Sequence, residues 1–370
     1  MKFIDLFFKK KIKDKRKKIH VVFIINDAYA NNMSSLYFEL SKSEEFKVLV
    51  VACDRVGYDF SPSNSAEDVS SVLKNENIEH VIDLTFDELV AFNPHFIFTS
   101  NPYDMYIKKE FHSACLCRIA KLVHISYGAS LIEWEGDYAF LKKNPYIKNA
   151  YRIFTESRYL FRNDKRFHPV GYLKLDDYLY NNRNVSKFYK KSIAWKPRWT
   201  GRTDSSISTY IDFFIKLASC YDIIVNFIIH PMLFHSLIKS RHHSCTIDKI
   251  NLFKCMENVN FVIGSDFLDD VLGSDIYIGD VSSTLAEFLS TGKPIIYTDT
   301  GNTLNELGMN IINSCYVVNN EGELESVCLK VLSGDDPKSE IRRSLFFRIF
   351  EYQEHVPVSE RIKKILLSSY

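Results

Sequence analysis

The chain has 370 residues, of which 46% are hydrophobic and 25% are charged. The length favours two domains over one, because single cores stop growing near about 250–300 residues. The net charge is only +1, which argues against nucleic acid as a partner, since such proteins carry basic charge on the folded body.

The first 18 residues differ from the rest of the chain in charge. They contain nine Lys or Arg and two Asp, so they carry +7 in a chain whose total is +1. Phe3, Ile4, Phe7 and Phe8 fall on one helical face, beside a basic run that ends at Lys18. An apolar wedge next to basic residues suits an anionic membrane surface. A solvated leader is the alternative, and both interpretations stay open.

The cysteines and apolar runs indicate where the protein resides. Eight cysteines are scattered without the spacing of a zinc site, and no signal peptide precedes them. No apolar run approaches the roughly 18–20 residues that span a bilayer. We therefore expect reduced thiols, no metal and a cytoplasmic protein, peripheral at most on the inner face of the cell membrane.

Residues 19–185 have the pattern of a first α/β domain. Apolar runs at 20–25 and 47–52 are typical of strands buried in a parallel sheet. Shorter strands are predicted at 80–82, 95–99, 122–125 and 152–155, with helical stretches between most of them. This alternation predicts an open parallel sheet with helices on both faces.

The pattern restarts after a polar, basic stretch around residues 181–191. Residues 186–340 are predicted to form a second α/β domain with strands at 192–195, 223–229, 259–263, 275–278 and 294–297. Residues 341–370 are predicted to be helical and to pack back on the first domain. The predicted fold class is α/β, with two Rossmann-like domains facing a cleft, a preferred place for substrates.

The most informative segment joins the predicted strand at 275–278 to a short helix. After Asp280, any of Ser282, Ser283 and Thr284 can cap that helix, and Glu287 stands at capping-box spacing from Thr284. Free N–H groups and the positive end of the helix dipole favour an anion there, and a nucleotide diphosphate meets that need. The alternative is that the hydroxyl residues are only caps and Asp280 only a turn residue.

Two further segments end strands at the same edge of the second sheet. His230 directly follows the strand at 223–229, and its imidazole can donate to a phosphate oxygen. In residues 195–200, Arg198 can clamp a phosphate and Trp199 can stack on a base or pack the domain hinge. A structural histidine, a surface arginine and a core tryptophan are the competing interpretations.

Taken in order, these segments resemble the CDP-glycerol glycerophosphotransferase family of teichoic-acid and capsule assembly, which has a GT-B fold. Its Tyr/Trp-x-Pro-x-Trp-Arg-like and Arg-x-His-Pro-like segments correspond to residues 195–200 and 229–231. Its Asp-Tyr-Ser-Ser turn, helix and Lys-Pro-Ile correspond to residues 280–294, with Val281 in place of Tyr. Residues 169–176 are similar to its Val-Gly-x-Pro-Lys-x-Asp stretch. The likeness covers roughly residues 120–300.

The resemblance implies that residues 19–185 form the acceptor-side domain and residues 186–340 the nucleotide-donor domain, and it implies a reaction. His230 would contact the donor pyrophosphate, and Asp280, Ser282 and Ser283 would line the pocket. An acceptor hydroxyl would attack the distal phosphorus of a CDP-activated glycerol or ribitol phosphate and release CMP, without a cofactor. The acceptor would be a glycan or lipid-linked precursor of a surface polysaccharide. Arg198, Thr284 and Glu287 complete the predicted donor-binding set.

The chain departs from this family at the general base. The family usually has a Trp-His-Gly segment whose His is taken as the base, whereas residues 126–128 here read Ser-Tyr-Gly. Tyr127 is a poor base near neutral pH if its pKa is unperturbed. His124 lies three residues upstream, and Asp27 and Glu133 are further candidates, because a base must only reach the acceptor proton. The sequence leaves the base unassigned.

Other functions remain compatible with these residues. A GT-B glycosyltransferase that uses a nucleotide sugar is one, since a fold does not fix the chemistry. A catalytically inactive nucleotide-binding partner is another, which the missing His permits. A nucleotide-sugar epimerase is less favoured, because no pair of carboxylates is recognisable for it.

Overall fold

The structure of the protein is a computed structural model. It describes residues 18–27, 32–57, 65–133, 143–160, 164–181, 183–198, 205–230, 233, 237, 244–263 and 267–370. The predicted basic leader, except for Lys18, and Trp199 lie outside these residues. The described residues form two compact units. The first contains residues up to Tyr127, then 143–181 and 353–370; the second contains residues 128–133 and 183–352.

The first unit is built on a parallel sheet in the order β3-β2-β1-β4-β5-β6-β7. Its strands are β1 (Ile19–Ile25), β2 (Phe46–Ala52), β3 (Val81–Ile82), β4 (Phe96–Thr99), β5 (Lys121–Ile125), β6 (Arg152–Thr155) and β7 (Phe167–Pro169). Its helices begin with α1 (Ser34–Ser41), α2 (Ala66–Asn75), α3 (Phe86–Phe92), α4 (Ser113–Leu116), α5 (Pro145–Asn149) and α6 (Asp176–Leu179).

The central strand of this sheet has a core on each face. Side chains alternate between faces along a strand, so Val21 and Phe23 pack into one hydrophobic cluster while Val22 and Ile24 pack into another. Burial on both faces explains why β1 is apolar along nearly its whole length rather than alternating with polar residues.

The second unit repeats this architecture with the order β10-β9-β8-β11-β12-β13, again all parallel. Its strands are β8 (Lys191–Lys196), β9 (Ile223–Ile229), β10 (Val259–Ile263), β11 (Ile276–Gly279), β12 (Ile295–Thr298) and β13 (Tyr316–Val318). Its helices are α7 (Ile207–Cys220), α8 (Ser244–Phe253), α9 (Leu268–Gly273), α10 (Ser283–Phe288), α11 (Glu306–Asn313), α12 (Glu321–Leu332) and α13 (Ser339–Ile349).

Trp195 anchors the core of the second unit. Its indole is fully buried and stacks on Phe214 and Phe227, with ring centroids 3.8 Å and 4.6 Å away. Stacked aromatic rings of this kind stabilise a core beyond the area they bury. The alternatives considered for the second indole of this segment, that of Trp199, stay predictions, because Trp199 lies outside the described residues.

The last helix, α14 (Val358–Ser368), belongs to the first unit, where it packs on α1. The preceding helix, α13, groups with the second unit. In the part of the chain that the structure describes, no helix combines the length and apolar character needed to cross a membrane.

The predicted fold class, two successive α/β units on parallel sheets, is confirmed. Every strand predicted from an apolar run is present in one of the two sheets. Strands β7 and β13 were not predicted, because each has three residues at a sheet edge and is too short to show a hydrophobic period.

Candidate functional site

The candidate site of the second unit lies where its strand order reverses. Strands β9 and β10 extend the sheet on one side of β8, and β11 to β13 extend it on the other. Ligands of open α/β sheets bind at the carboxyl ends of strands at such a point. Lys196, at the end of β8, stands in register with Gly279, at the end of β11. A Cβ on Gly279 would lie 2.5 Å from the Lys196 carbonyl oxygen, so only glycine permits this approach.

Three nitrogen-bearing side chains meet at this edge. Lys196 is 9% exposed, and its ammonium lies 5.4 Å from the centre of the Phe267 ring. Burial lowers the pKa of the half-buried His230 to about 3, helped by the positive charges of Lys196 and Arg198. The imidazole is therefore neutral at neutral pH and stands in an electropositive environment, which favours an anion.

Arg198 is held in place from two sides. Its backbone N–H donates to Asp280 Oδ2 at 2.7 Å, and its Nη1 donates to the Val281 carbonyl at 3.2 Å. Burial lowers the pKa of Arg198, while Asp280 and Tyr297 oppose that shift. The guanidinium remains charged, because an arginine pKa starts far above neutral pH.

Asp280 lies inside the unit and organises the loops around it. It is fully buried, and its Oδ2 also accepts the Ser206 N–H at 3.0 Å, while Oδ1 accepts the Thr298 hydroxyl. Burial raises the pKa of Asp280, and hydrogen bonds from Ser206 and Thr298 counteract this. The sequence predicts Asp280 in the lining of a donor pocket, and in the structure its carboxylate joins the segment after β8 to the last residue of β12.

The turn that contains Ser282, Ser283 and Thr284 leads into a helix as predicted, but no side chain of these residues caps that helix. Helix α10 starts at Ser283, and its N-cap is Ser282, whose hydroxyl lies 3.3 Å from the Tyr277 hydroxyl and makes no capping bond. Both serines are half-buried. Thr284 and Glu287 are buried within the helix, so the predicted Thr284–Glu287 capping box does not form and neither side chain lies at the surface.

The Gly of the Ser-Tyr-Gly segment packs at the start of this helix. A Cβ on Gly128 would lie 3.1 Å from both Cβ and Oγ of Ser283, tighter than most contacts of that type. The residues after Gly128 belong to the second unit, where Ile132 bridges to Leu304 and Asn305 Nδ2 donates to the Ser130 carbonyl at 2.8 Å.

His124, one candidate base, is buried in the first unit. It lies on β5, with its ring centre 6.1 Å from that of Tyr146. Burial lowers its pKa to about 4. Its Nδ1 has no hydrogen-bond partner among the described residues. A side chain enclosed in this way is poorly placed to reach an acceptor hydroxyl from solution.

The other base candidates lie in different surroundings. Tyr127 is 41% exposed, and its hydroxyl lies 3.3 Å from that of Tyr103. Asp27 is paired with Arg55. Glu133 is exposed, and its backbone N–H donates to the Thr303 carbonyl at 2.9 Å, within the second unit.

Two charged residues at the strand ends were not selected as candidates from the sequence. Lys196 was not selected, although a lysine at the carboxyl end of a buried central strand is the signal that could have identified it. Arg55 was also missed, because it follows β2 in a polar loop and only folding brings it to Asp27.

Comparisons with known proteins agree on the architecture. No family model and no curated protein sequence matches the chain. Among solved structures, it is similar to a putative UDP-N-acetylglucosamine 2-epimerase from Listeria monocytogenes, with 15% identity, a TM-score of 0.63 and coverage of 96% of this chain and 97% of that one. The fold is GT-B.

Two further structures with this architecture were determined with ligands. The wall teichoic acid polymerase TagF, soaked with CDPG, has 15% identity and a TM-score of 0.62, covering 99% of this chain and 92% of that one. Anabaena HepE in complex with UDP and glucose has 11% identity and a TM-score of 0.52, covering 95% of this chain and 100% of that one. At such identities the similarity establishes the fold alone.

Proposed function

We propose that the second unit binds the phosphates of a nucleotide-activated donor and that the protein is a transferase. The observation that carries this proposal is the position of Lys196, Arg198 and His230 at the carboxyl ends of the paired strands β8 and β9, where the strand order reverses. Two cations supply charge, and a neutral imidazole supplies one directed hydrogen bond. A diphosphate matches this set, because it offers negative charge to the two cations and several oxygens that can accept hydrogen bonds.

The proposed reaction moves a phosphoalditol, glycerol phosphate or ribitol phosphate, from a CDP-activated donor. The acceptor hydroxyl oxygen forms a bond to the distal phosphorus, and the bond between that phosphorus and the bridging oxygen breaks. CMP leaves with the bonding electrons, and the acceptor proton passes to a base. Lys196 and Arg198 would stabilise the charge that develops on CMP. Backbone N–H groups at Ser283 and Thr284 would add to this.

Two observations support CDP-alditol over other donors, and surface glycan over other acceptors. The segments that resemble the glycerophosphotransferase family occur in the family's order, from residue 169 to residue 294. The fold is shared with a teichoic acid polymerase whose crystals were soaked with CDPG. We therefore propose a surface-polysaccharide or teichoic-acid-like acceptor.

A nucleotide sugar is the second candidate donor. The three side chains recognise phosphates and not the group beyond them, so UDP-sugars fit the same cluster. HepE, of the same fold, was crystallised with UDP and glucose, which favours testing this donor.

The binding proposal is tested by substituting each of two lysines that lie at opposite ends of strand β8. Lys196→Met keeps the aliphatic stem but removes the charge, and we expect CDP to bind at least tenfold more weakly in isothermal titration calorimetry. Lys191→Met is the matched control, because Lys191 lies at the amino end of β8 with its side chain 63% exposed and paired with Asp275. Equal affinity of the two variants for CDP would refute the site.

Turnover is tested with His230→Ala, scored by release of CMP from CDP-glycerol and CDP-ribitol and of UDP from UDP-sugars. We expect the variant to lose turnover and keep its fold. His168→Ala is the control, since burial and Arg152 also lower the pKa of that histidine. UDP release alone would identify a glycosyltransferase. CDP binding without release from any donor would identify an inactive binding partner.

A further inference from the structure

The first unit has its own switch point, which the proposed donor site does not use. Its strand order reverses between β1 and β4. Buried Asn26, just after β1, fixes the loops there: Oδ1 accepts Ser100 Oγ at 2.9 Å and Asn101 Nδ2 at 3.0 Å, and Nδ2 donates to the Tyr106 carbonyl at 2.6 Å. The carboxyl edge of this sheet is therefore rigid at the position where open α/β sheets bind ligands.

An ion pair, neutral overall, lies at the carboxyl edge of this sheet. Arg55, which follows β2, pairs with Asp27, which follows Asn26. Both side chains are partly accessible, at 16% and 12% exposure. The Arg55 guanidinium lies 4.2 Å from the centre of the Tyr106 ring, which holds it in one orientation. A pair of this kind offers both N–H donors and carboxylate acceptors while remaining neutral overall.

Three tyrosines surround the pair. The Tyr103 and Tyr106 rings lie 5.7 Å apart, edge to face, and the Tyr103 hydroxyl lies 3.3 Å from that of Tyr127. These contacts, together with the contact between Tyr106 and Arg55, link the Tyr127 phenol to the ion pair. The pKa of Tyr127 is raised by burial, by Tyr103 and by Asp27, and lowered by Arg55. Tyr127 nevertheless leaves 41% of its surface exposed. Tyrosine supplies a rigid, amphipathic contact surface with a hydroxyl at its edge.

We propose that these five residues, Asp27, Arg55, Tyr103, Tyr106 and Tyr127, form a binding site for a neutral, hydroxyl-rich ligand, a sugar ring or polyol. The ion pair provides the donors and acceptors for hydroxyl groups, and the exposed phenol provides an apolar face for the carbon skeleton. An anionic ligand is disfavoured because Asp27 already neutralises Arg55. Resting on the proposed function, this ligand is the acceptor end that receives the transferred group.

The experiment measures ligand binding to the full chain by saturation-transfer NMR. The probes are methyl glycosides of glucose, N-acetylglucosamine and N-acetylmannosamine, with glycerol as the smallest polyol and glucose 1-phosphate as the anionic arm. We expect at least one neutral probe to give a transfer signal that Tyr127→Ala reduces fivefold or more. Tyr127→Phe keeps the ring and should retain part of the signal, which guards against loss through misfolding.

Two variants make the test specific. Tyr151→Ala is the matched control, because Tyr151 is 37% exposed in the same unit but precedes β6, at the opposite edge of the sheet. It should leave the signal unchanged. Asp27→Asn leaves Arg55 without its counter-charge, so it should weaken the neutral probes and strengthen glucose 1-phosphate.

The outcomes separate this site from the donor site. Neutral-probe binding should persist in Lys196→Met even where CDP binding is lost. The proposal is overturned if no neutral probe depends on Tyr127, or if glucose 1-phosphate binds the wild-type protein more tightly than methyl glucoside in an Arg55-dependent manner.

Discussion

His124 shows how burial determines what an ionisable residue can do. As a residue of the Ser-Tyr-Gly region it was a candidate base, but β5 turns it into the interior next to Tyr146. Tyr127, only three positions later, follows the end of the strand and reaches the surface. Position along a strand thus separates a core imidazole from a surface phenol.

The buried imidazole makes stability depend on pH. The pKa of His124 falls from 6.5 to about 4 on folding through burial, so the unfolded chain binds a proton in a range where the folded chain does not. Stability is retained above pH 6.5 and is lost as pH falls toward 4. We expect His124→Phe to remove this loss, worth about 3 kcal/mol at the acid limit. Thermal unfolding between pH 7 and pH 4.5 measures it.

An exposed histidine provides the comparison. His355 has a side chain that is 88% exposed, and His355→Phe should follow the wild-type pH profile. If His124→Phe and the wild type lose stability in parallel between pH 6.5 and pH 4.5, the imidazole is not the group responsible.

Among the elements, two helix ends are held by charged side chains from outside the helix. Lys293 Nζ donates to the carbonyls of Leu272, Gly273 and Ser274, at 3.0 Å, 3.3 Å and 2.7 Å, at the end of α9. Asp176 accepts the backbone N–H groups of Val358 and Ser359 at the start of α14. Both arrangements satisfy backbone groups that a helix end leaves unpaired and complement the helix dipole.

These contacts give a structural role to residues noted for their family resemblance. Lys293 belongs to the Lys-Pro-Ile segment and Asp176 ends the stretch at 169–176. In this chain the lysine stabilises a helix of the second unit, and the aspartate attaches the C-terminal helix to the first.

Removing the Asp176 carboxylate should release α14. Asp176→Ala leaves two buried N–H groups unpaired, at a cost of about 1–3 kcal/mol each. We expect amide hydrogens of residues 358–368 to exchange at least tenfold faster in hydrogen-exchange mass spectrometry, ahead of global unfolding. Asp177→Ala is the neighbouring control, because the Asp177 carboxylate accepts the side-chain amide of Asn181 at 2.8 Å and has no described contact with α14. Unchanged protection of α14 in Asp176→Ala would contradict the attachment.

At the scale of the whole molecule, the fold persists although the sequence has diverged. Only 15% of residues are identical to the Listeria structure, yet 96% of the chain aligns with it. What the two must share is the placement of buried apolar strands and turns, because many apolar side chains of suitable volume satisfy the same core. Chemistry is not constrained in this way, since sites with different activities occur on one fold.

We expect the basic leader, residues 1–18, to bind the protein to anionic membranes. Deleting residues 1–18 removes a charge of +7 and should abolish co-sedimentation with vesicles containing phosphatidylglycerol, since each basic residue near such a surface contributes about 1 kcal/mol. Replacing Phe3 and Phe7 by Ser keeps the charge and should weaken binding only in part. Wild-type binding by the truncated chain would exclude the leader as the membrane contact.

The sequence alone determined the alternating α/β architecture, all the strands except the short edge strands β7 and β13, and the strand ends where His230 and Ser282–Thr284 lie. Hydrophobic runs and turn residues are local signals, and the fold follows from them. Tertiary structure decided which polar side chains are accessible: it buried Asp280, Thr284 and Glu287, enclosed His124, and paired Arg55 with Asp27. Burial and long-range pairing depend on segments distant in the chain, so no local pattern carries that information.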